Sequence, residues 1–129
     1  MATNTTWEGN QGLLRVYTNA VNADDVIQAT LSLSGDSRFD ELRYIIGDWS
    51  LVEEISMTPD DITKIVHFVE TVAKCNPRIR HAIVLPQGEA YQVLGSLYEW
   101  ETIHLPWTIK VFRTIEQARS WINEENQAL

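Results

Sequence analysis

The stretch Leu42-Arg43-Tyr44-Ile45-Ile46-Gly47-Asp48-Trp49-Ser50 limits the fold more than any other part of the chain. Its apolar run is short, β-branched at Ile45 and Ile46, and halts at Gly47-Asp48. A run of this length between turn-forming residues reads as a buried strand, not a helix. Strands apolar on both faces belong to parallel sheets covered by helices. The polar halt then marks the carboxyl end of the strand, the edge at which open α/β sheets hold their ligands.

The flanking segments agree. Thr5 to Glu8 and Leu13 to Tyr17 read as the arms of a β-hairpin around Gly9-Asn10-Gln11-Gly12. Asn22 suits a helix cap, Asp24 and Asp25 suit the first turn behind it, and Val26, Ile27, Thr30 and Leu33 share the inward face. Gly35-Asp36-Ser37 ends that helix. Leu51 to Met57 carries no regular period. Thr58-Pro59-Asp60-Asp61 supplies a capping hydroxyl, a proline at the first helical position and two acids. Behind it Ile62, Ile65, Val66, Val69, Val72 and Ala73 recur at helical spacing up to Asn76-Pro77.

His81 to Leu85 reads as another buried strand, and Glu89 to Glu101 as a helix burying Ala90, Tyr91, Leu94, Leu97 and Tyr98. Thr108 to Phe112 is the last strand, and Thr114-Ile115-Glu116-Gln117 opens a final helix with Ala118, Trp121 and Ile122 inward. A hairpin followed by strand–helix alternation defines an α/β fold. The expected architecture is a single-layer mixed sheet of four or five strands, a hairpin and then parallel strands, covered by about four helices. With 129 residues and no linker or repeat, residues 1–129 form one expected domain.

Composition excludes several classes of function. The net charge of −8 opposes nucleic-acid binding, which rests on clustered Lys and Arg. It opposes anionic lipid surfaces for the same reason. No apolar stretch approaches the ~20 residues of a membrane span. Met1 to Gly12 lacks the basic and apolar regions of a signal peptide. Cys75 is a lone cysteine, so no intrachain disulfide forms. A cytoplasmic location is the expectation.

The residues Arg43-Tyr44-Ile45-Ile46-Gly47-Asp48, then Asn76-Pro77-Arg78-Ile79-Arg80-His81-Ala82-Ile83-Val84, carry a family resemblance. So does the ending from Pro106-Trp107 through Val111-Phe112-Arg113-Thr114 to Trp121-Ile122. The chain resembles the SpoIIAA-like members of the STAS group, the sulfate-transporter and anti-sigma-factor-antagonist domains. These have relatives in the lipid-binding Sec14/CRAL-TRIO class. The resemblance implies a mixed sheet with helices and a non-catalytic protein-binding or regulatory role. Its Sec14-like side implies a small apolar or lipid-like ligand instead. Regulated members of the group carry an Asp-Ser-Ser/Thr-Gly turn whose serine is phosphorylated. This chain has Ile55-Ser56-Met57-Thr58-Pro59-Asp60 in that place, without the aspartate and glycine. No phosphoswitch is expected at Ser56 or Thr58.

Catalytic patterns are few. His67, His81 and His104 lie on different elements and form no metal-binding spacing, and no cofactor loop is present. The acid pairs Asp24-Asp25 and Asp60-Asp61 sit in first helical turns, where the helix dipole explains them. Ser50 near Asp48 has no base to activate it, so an enzyme using them is the weakest reading. Exposed aromatics mark interfaces, and Trp49 and Trp107 fall in segments that read as loops. The expected binding edge gathers Asp48, Trp49 and Ser50 from one strand end, Gln87 and Gly88 from the next, and Arg113 and Thr114 from the last. Its expected occupant is another protein or a second copy of the chain, with a small apolar ligand as the alternative. No metal or cofactor is expected.

Overall fold

In a computed structural model, the backbone of residues 3–127 and the side chains of residues 3–124 are described. Strand β1 (Thr3–Glu8) turns at Gly9 into β2 (Gly12–Asn22), with Glu8 opposite Gly12 in antiparallel register. Gly9 has φ 65°, a left-handed conformation that a Cβ would disfavour.

Helix α1 (Ala23–Ser34) starts from Asn22, whose side chain accepts from the Asp25 N–H while Asp25 accepts from the Asn22 N–H, each at 3.0 Å. A single 3-10 turn at Phe39–Glu41 leads to β3 (Tyr44–Ser56). Helix α2 (Pro59–Cys75) is capped in the same reciprocal way by Thr58 and Asp61. Its buried residues are Ile62, Ile65, Val66, Val69, Val72 and Ala73, the stripe the sequence displays. Then follow β4 (Arg80–Val84), α3 (Glu89–Thr102), β5 (Thr108–Phe112) and α4 (Ile115–Gln127).

The five strands lie in the order β1-β2-β3-β4-β5, and every pair after the hairpin is parallel. Period-two alternation divides their side chains between two layers. Leu13 and Ile45 join α1, α2 and partly buried residues of α3 in the larger core. Ile46, Ala82 and Val84 pack against Ala118 and Ile122 of α4 on the other side. The mixed α/β sheet expected from the sequence is therefore the fold.

Three local expectations need correction. Strand β3 does not halt at Gly47-Asp48 but continues to Ser56, because β2 extends alongside it to Asn22. Register shifts fall between Val16 and Thr18 and between Asn19 and Ala20, and Asn19 has φ 62°. Each bulge slips the inward-outward alternation by one residue, which hides the strand period of Leu51 to Ser56 in the sequence. Trp107 is a core residue at 4% exposure, with its Nε1–H donating to the Asn76 carbonyl at 2.7 Å. Ala90 is exposed, whereas Gly95 and Thr102 are the buried residues of α3. A Cβ on Gly95 would stand 2.7 Å from Leu85 Cδ1 and 3.1 Å from Val111 Cγ1, so glycine is what lets α3 approach the sheet.

Two side chains tie the ends of elements together. Asn76 is buried, and its Nδ2 donates to the carbonyls of Phe39 and Leu42 at 2.8 and 2.9 Å. On the outer side of β5, the Val111 N–H donates to the Glu99 carboxylate at 2.8 Å. For the α2 cap, Thr58→Ala should cost about 1 kcal/mol in chemical denaturation, the usual worth of a capping oxygen. A cost indistinguishable from zero would show that Pro59 and the acids set this helix start unaided.

Candidate functional site

Between the sheet and helices α1, α2 and α3 lies a mostly apolar cavity of about 80 Å³. Its floor follows from register. Arg15, Gly47, Ile83 and Val111 form one row across β2, β3, β4 and β5. Gly47 leaves a gap in the middle of that row, on the central strand. A Cβ there would stand 3.4 Å from His81 Nε2 and 3.6 Å from Trp49 Nε1, so these two side chains close on Gly47 at van der Waals distance, and its backbone does not require glycine. Helix α1 contributes Val26, Thr30 and Leu33 to the walls, α2 contributes Ile62, Ile65 and Val69, and α3 contributes Leu94 and Tyr98. Trp49 lines the cavity and stacks on Tyr17 at 4.3 Å between ring centroids.

The polar groups of this cavity are few: Arg15, Tyr17 and Thr30 are buried, and His81 and Tyr98 are half-buried. Arg15 is 9% exposed; its Nε donates to Thr5 Oγ1 at 3.2 Å and a terminal N–H to the Ala29 carbonyl at 3.1 Å. No described carboxylate forms an ion pair with it. Burial pushes the Tyr17 hydroxyl up, against the opposing pull of Arg15. Burial raises the Tyr98 hydroxyl as well, helped by Tyr17. His81 Nδ1 is buried without a hydrogen-bond partner. Desolvation, then the Arg15 charge, pushes the His81 imidazole down to about 4, so the ring is neutral at pH 7.

That depression makes stability depend on pH. Between about pH 6.5 and 4 the unfolded chain binds a proton at His81 that the folded chain refuses. The stability from neutral His81 is present above pH 6.5 and is lost as pH falls through that window. Urea denaturation should give about 2 kcal/mol less at pH 5 than at pH 7. His81→Asn should flatten the difference; an equal slope in the variant would assign the effect to another group.

The predicted edge residues divide among several places. Trp49 lines the cavity. Asp48 is the last β3 residue paired with β4, and its Oδ1 accepts from the Ser50 N–H at 3.0 Å. Ser50 is exposed, and neither Asp48 nor Ser50 lines the cavity. Gln87 and Arg113 come together in a separate polar cleft, with Gln87 Nε2 donating to the Arg113 carbonyl at 3.4 Å. With its amide oxygen turned toward Arg113, Gln92 of α3 accepts from the guanidinium at 3.2 and 2.9 Å. Gly88 precedes α3 with φ 140°, and Thr114 Oγ1 accepts from the Gln117 N–H at the start of α4. Arg15, Tyr17, His81 and Tyr98 were missed. The usable signal was Arg15 itself, a cation at an inward position between Leu13 and Tyr17.

Among the described residues no group of three His, Cys, Asp or Glu is placed to hold a metal, and no helix is long and apolar enough to cross a membrane.

Comparison with solved structures gives the fold. The chain is similar to the anti-sigma factor antagonist SpoIIAA in its unphosphorylated form, with TM-score 0.59 and 12% identity over 95% of this chain and 97% of that one. It is similar to an uncharacterised DUF3478-family protein with a SpoIIAA-like fold from Shewanella loihica, at TM-score 0.56 and 19% identity over 93% and 91%. The phosphorylated form of the Bacillus cell-fate determinant SpoIIAA gives TM-score 0.53 and 13% identity over 94% and 99%. No protein-family model matches the chain, and no curated protein does. The fold is SpoIIAA-like; the Sec14/CRAL-TRIO side of the resemblance gains no support from these structures.

Proposed function

We propose that this chain is a non-catalytic binding domain that holds a small, largely apolar molecule between its sheet and helices α1, α2 and α3. The observation that carries this reading is the mostly apolar cavity between the sheet and the helices, with Gly47 in its floor on the central strand and Arg15 and His81 in its lining. A pocket of this kind with a few converging polar groups is the ordinary form of a small-molecule site. Gly47→Val puts a branched side chain into the floor of the cavity while suiting a strand. Denaturing mass spectrometry of organic extracts, made from wild type and variant purified from the same cells, tests the reading. A small molecule should accompany wild type and be absent from the variant. Identical extracts from the two would overturn it.

A second reading takes another protein, or a second copy of the chain, as the partner. It is favoured by Val93 and Trp100 on α3 and Ile103 just after it, which are 65%, 72% and 75% exposed. SpoIIAA is an anti-sigma factor antagonist, and the shared fold is consistent with a protein-binding role of that kind. The contact surface then includes the carboxyl edge, with Asp48, Trp49, Ser50, Gln87, Gly88, Arg113 and Thr114. Sedimentation velocity across a concentration series tests self-association. Wild type should associate and Trp100→Glu should not; equal sedimentation of the two removes α3 as the contact.

A further inference from the structure

From the polar groups that converge on the cavity, we infer that its ligand is a monoanion: a small carboxylic acid with an apolar tail, its carboxylate held by Arg15. This rests on the small-molecule reading and gives that ligand its chemical class.

Charge accounting leads to the head group. Of the residues lining the cavity, Arg15 is the one that is ionised at neutral pH, because His81, Tyr17 and Tyr98 are all held neutral there. A guanidinium out of water without an anion is costly, and buried charges are normally paired. The partners of Arg15, Thr5 Oγ1, the Ala29 carbonyl and the Tyr17 hydroxyl, are all neutral oxygens and leave the charge uncompensated. Asp25, whose charge reaches Tyr17, is already held in the capping box of α1 and is not paired with Arg15. One uncompensated positive charge calls for one negative charge, which a carboxylate supplies in the planar geometry that guanidinium favours. A phosphate monoester would bring a second charge that nothing here balances.

The remaining polar groups fit the same guest. Tyr17 and Tyr98 keep their hydroxyl protons and can donate to an oxygen anion. His81 keeps Nδ1 unpartnered in the same wall. Ile45, Ile65, Val69, Ile83 and Leu94 offer only hydrocarbon, so the rest of the guest is apolar. A cavity of about 80 Å³ holds a few heavy atoms, which limits the tail to a short one in this conformation.

Isothermal titration calorimetry decides the matter with straight-chain carboxylates from butyrate to decanoate and the alcohols of the same lengths. At pH 7.5, at least one carboxylate should bind wild type about tenfold or more tightly than its alcohol, as expected of charge-assisted hydrogen bonds. Arg15→Met should abolish that preference, Arg15→Lys should restore part of it, and Gly47→Val should remove both series. Alcohols that bind as well as carboxylates to wild type, and are lost in Gly47→Val, overturn the head group and leave the apolar site standing. Failure of both series at millimolar concentration overturns the site together with the head group. The comparison on wild type needs no variant to fold.

Discussion

Trp107→Ala should lower the unfolding free energy by about 4–5 kcal/mol, the largest loss expected from one substitution in this domain. Two terms combine. The indole is buried in the larger core, so its removal forfeits hydrocarbon contacts and leaves a void that neighbouring side chains fill only in part. Its Nε1–H also leaves the Asn76 carbonyl, and Asn76 is the side chain that fastens Phe39 and Leu42 before β3. Trp107→Phe separates the terms, because it keeps much of the ring and loses the donor; it should cost about 1–3 kcal/mol less than the alanine variant. Urea denaturation at pH 7, followed by circular dichroism to avoid the lost fluorophore, measures both. A loss under 2 kcal/mol for Trp107→Ala would mean that the indole is far less enclosed than its position indicates.

Gly12→Ala should cost about 3 kcal/mol although it adds one methyl group. Gly12 pairs with Glu8 on β1 and with Tyr44 on β3, and an added Cβ would overlap the hydroxyl end of the Tyr44 ring at Cζ, Cε2 and the hydroxyl oxygen. The ring cannot move freely, because its hydroxyl donates to Glu8 Oε1 at 2.8 Å and Glu8 is itself paired with Arg119 of α4 at 2.7 Å. That pairing holds the Glu8 carboxyl below its ordinary value, Arg119 being the main cause, while burial and then Glu8 push the Tyr44 hydroxyl up to about 12. Displacing the ring therefore combines overpacking with a lost hydrogen bond at the junction of β1, β3 and α4. Gly12→Ala with Tyr44→Ala tests the cause by double-mutant cycle: the glycine substitution should become nearly neutral once the ring is gone. An unchanged cost in that background would place the strain in the backbone of the hairpin instead.

Legibility in the sequence tracked how local the determining physics is. The caps at Asn22 and Thr58, the stripe from Ile62 to Ala73 and the strand Thr108 to Phe112 depend on neighbours in the chain, and each was readable. The strand beyond Asp48 was not, since bulges against β2 break its period and the extension of β2 to Asn22 appears only when both strands are paired. The cavity failed for a related reason. Arg15, Gly47 and Ile83 are far apart in sequence and meet in one row only through parallel register. Gly47 was noticed as a punctuation mark, whereas in the fold it lies in the floor of the cavity. Trp107 was assigned to a loop by its proline neighbour, and a loop residue can still be core when its ring points inward.

The bond from Val111 to Glu99 bears on how this domain behaves when crowded. An outermost strand with free amides invites a strand from another molecule, and sheets that stack in this way grow into fibres. Here the amide of Val111, the fourth residue of a five-residue outer strand, is already taken by a carboxylate of the adjoining helix. An incoming strand would have to break a charge-assisted bond and then lie beside a negative charge. The domain is thereby guarded against runaway polymerisation on that flank by a side chain that serves neither the cavity nor the core.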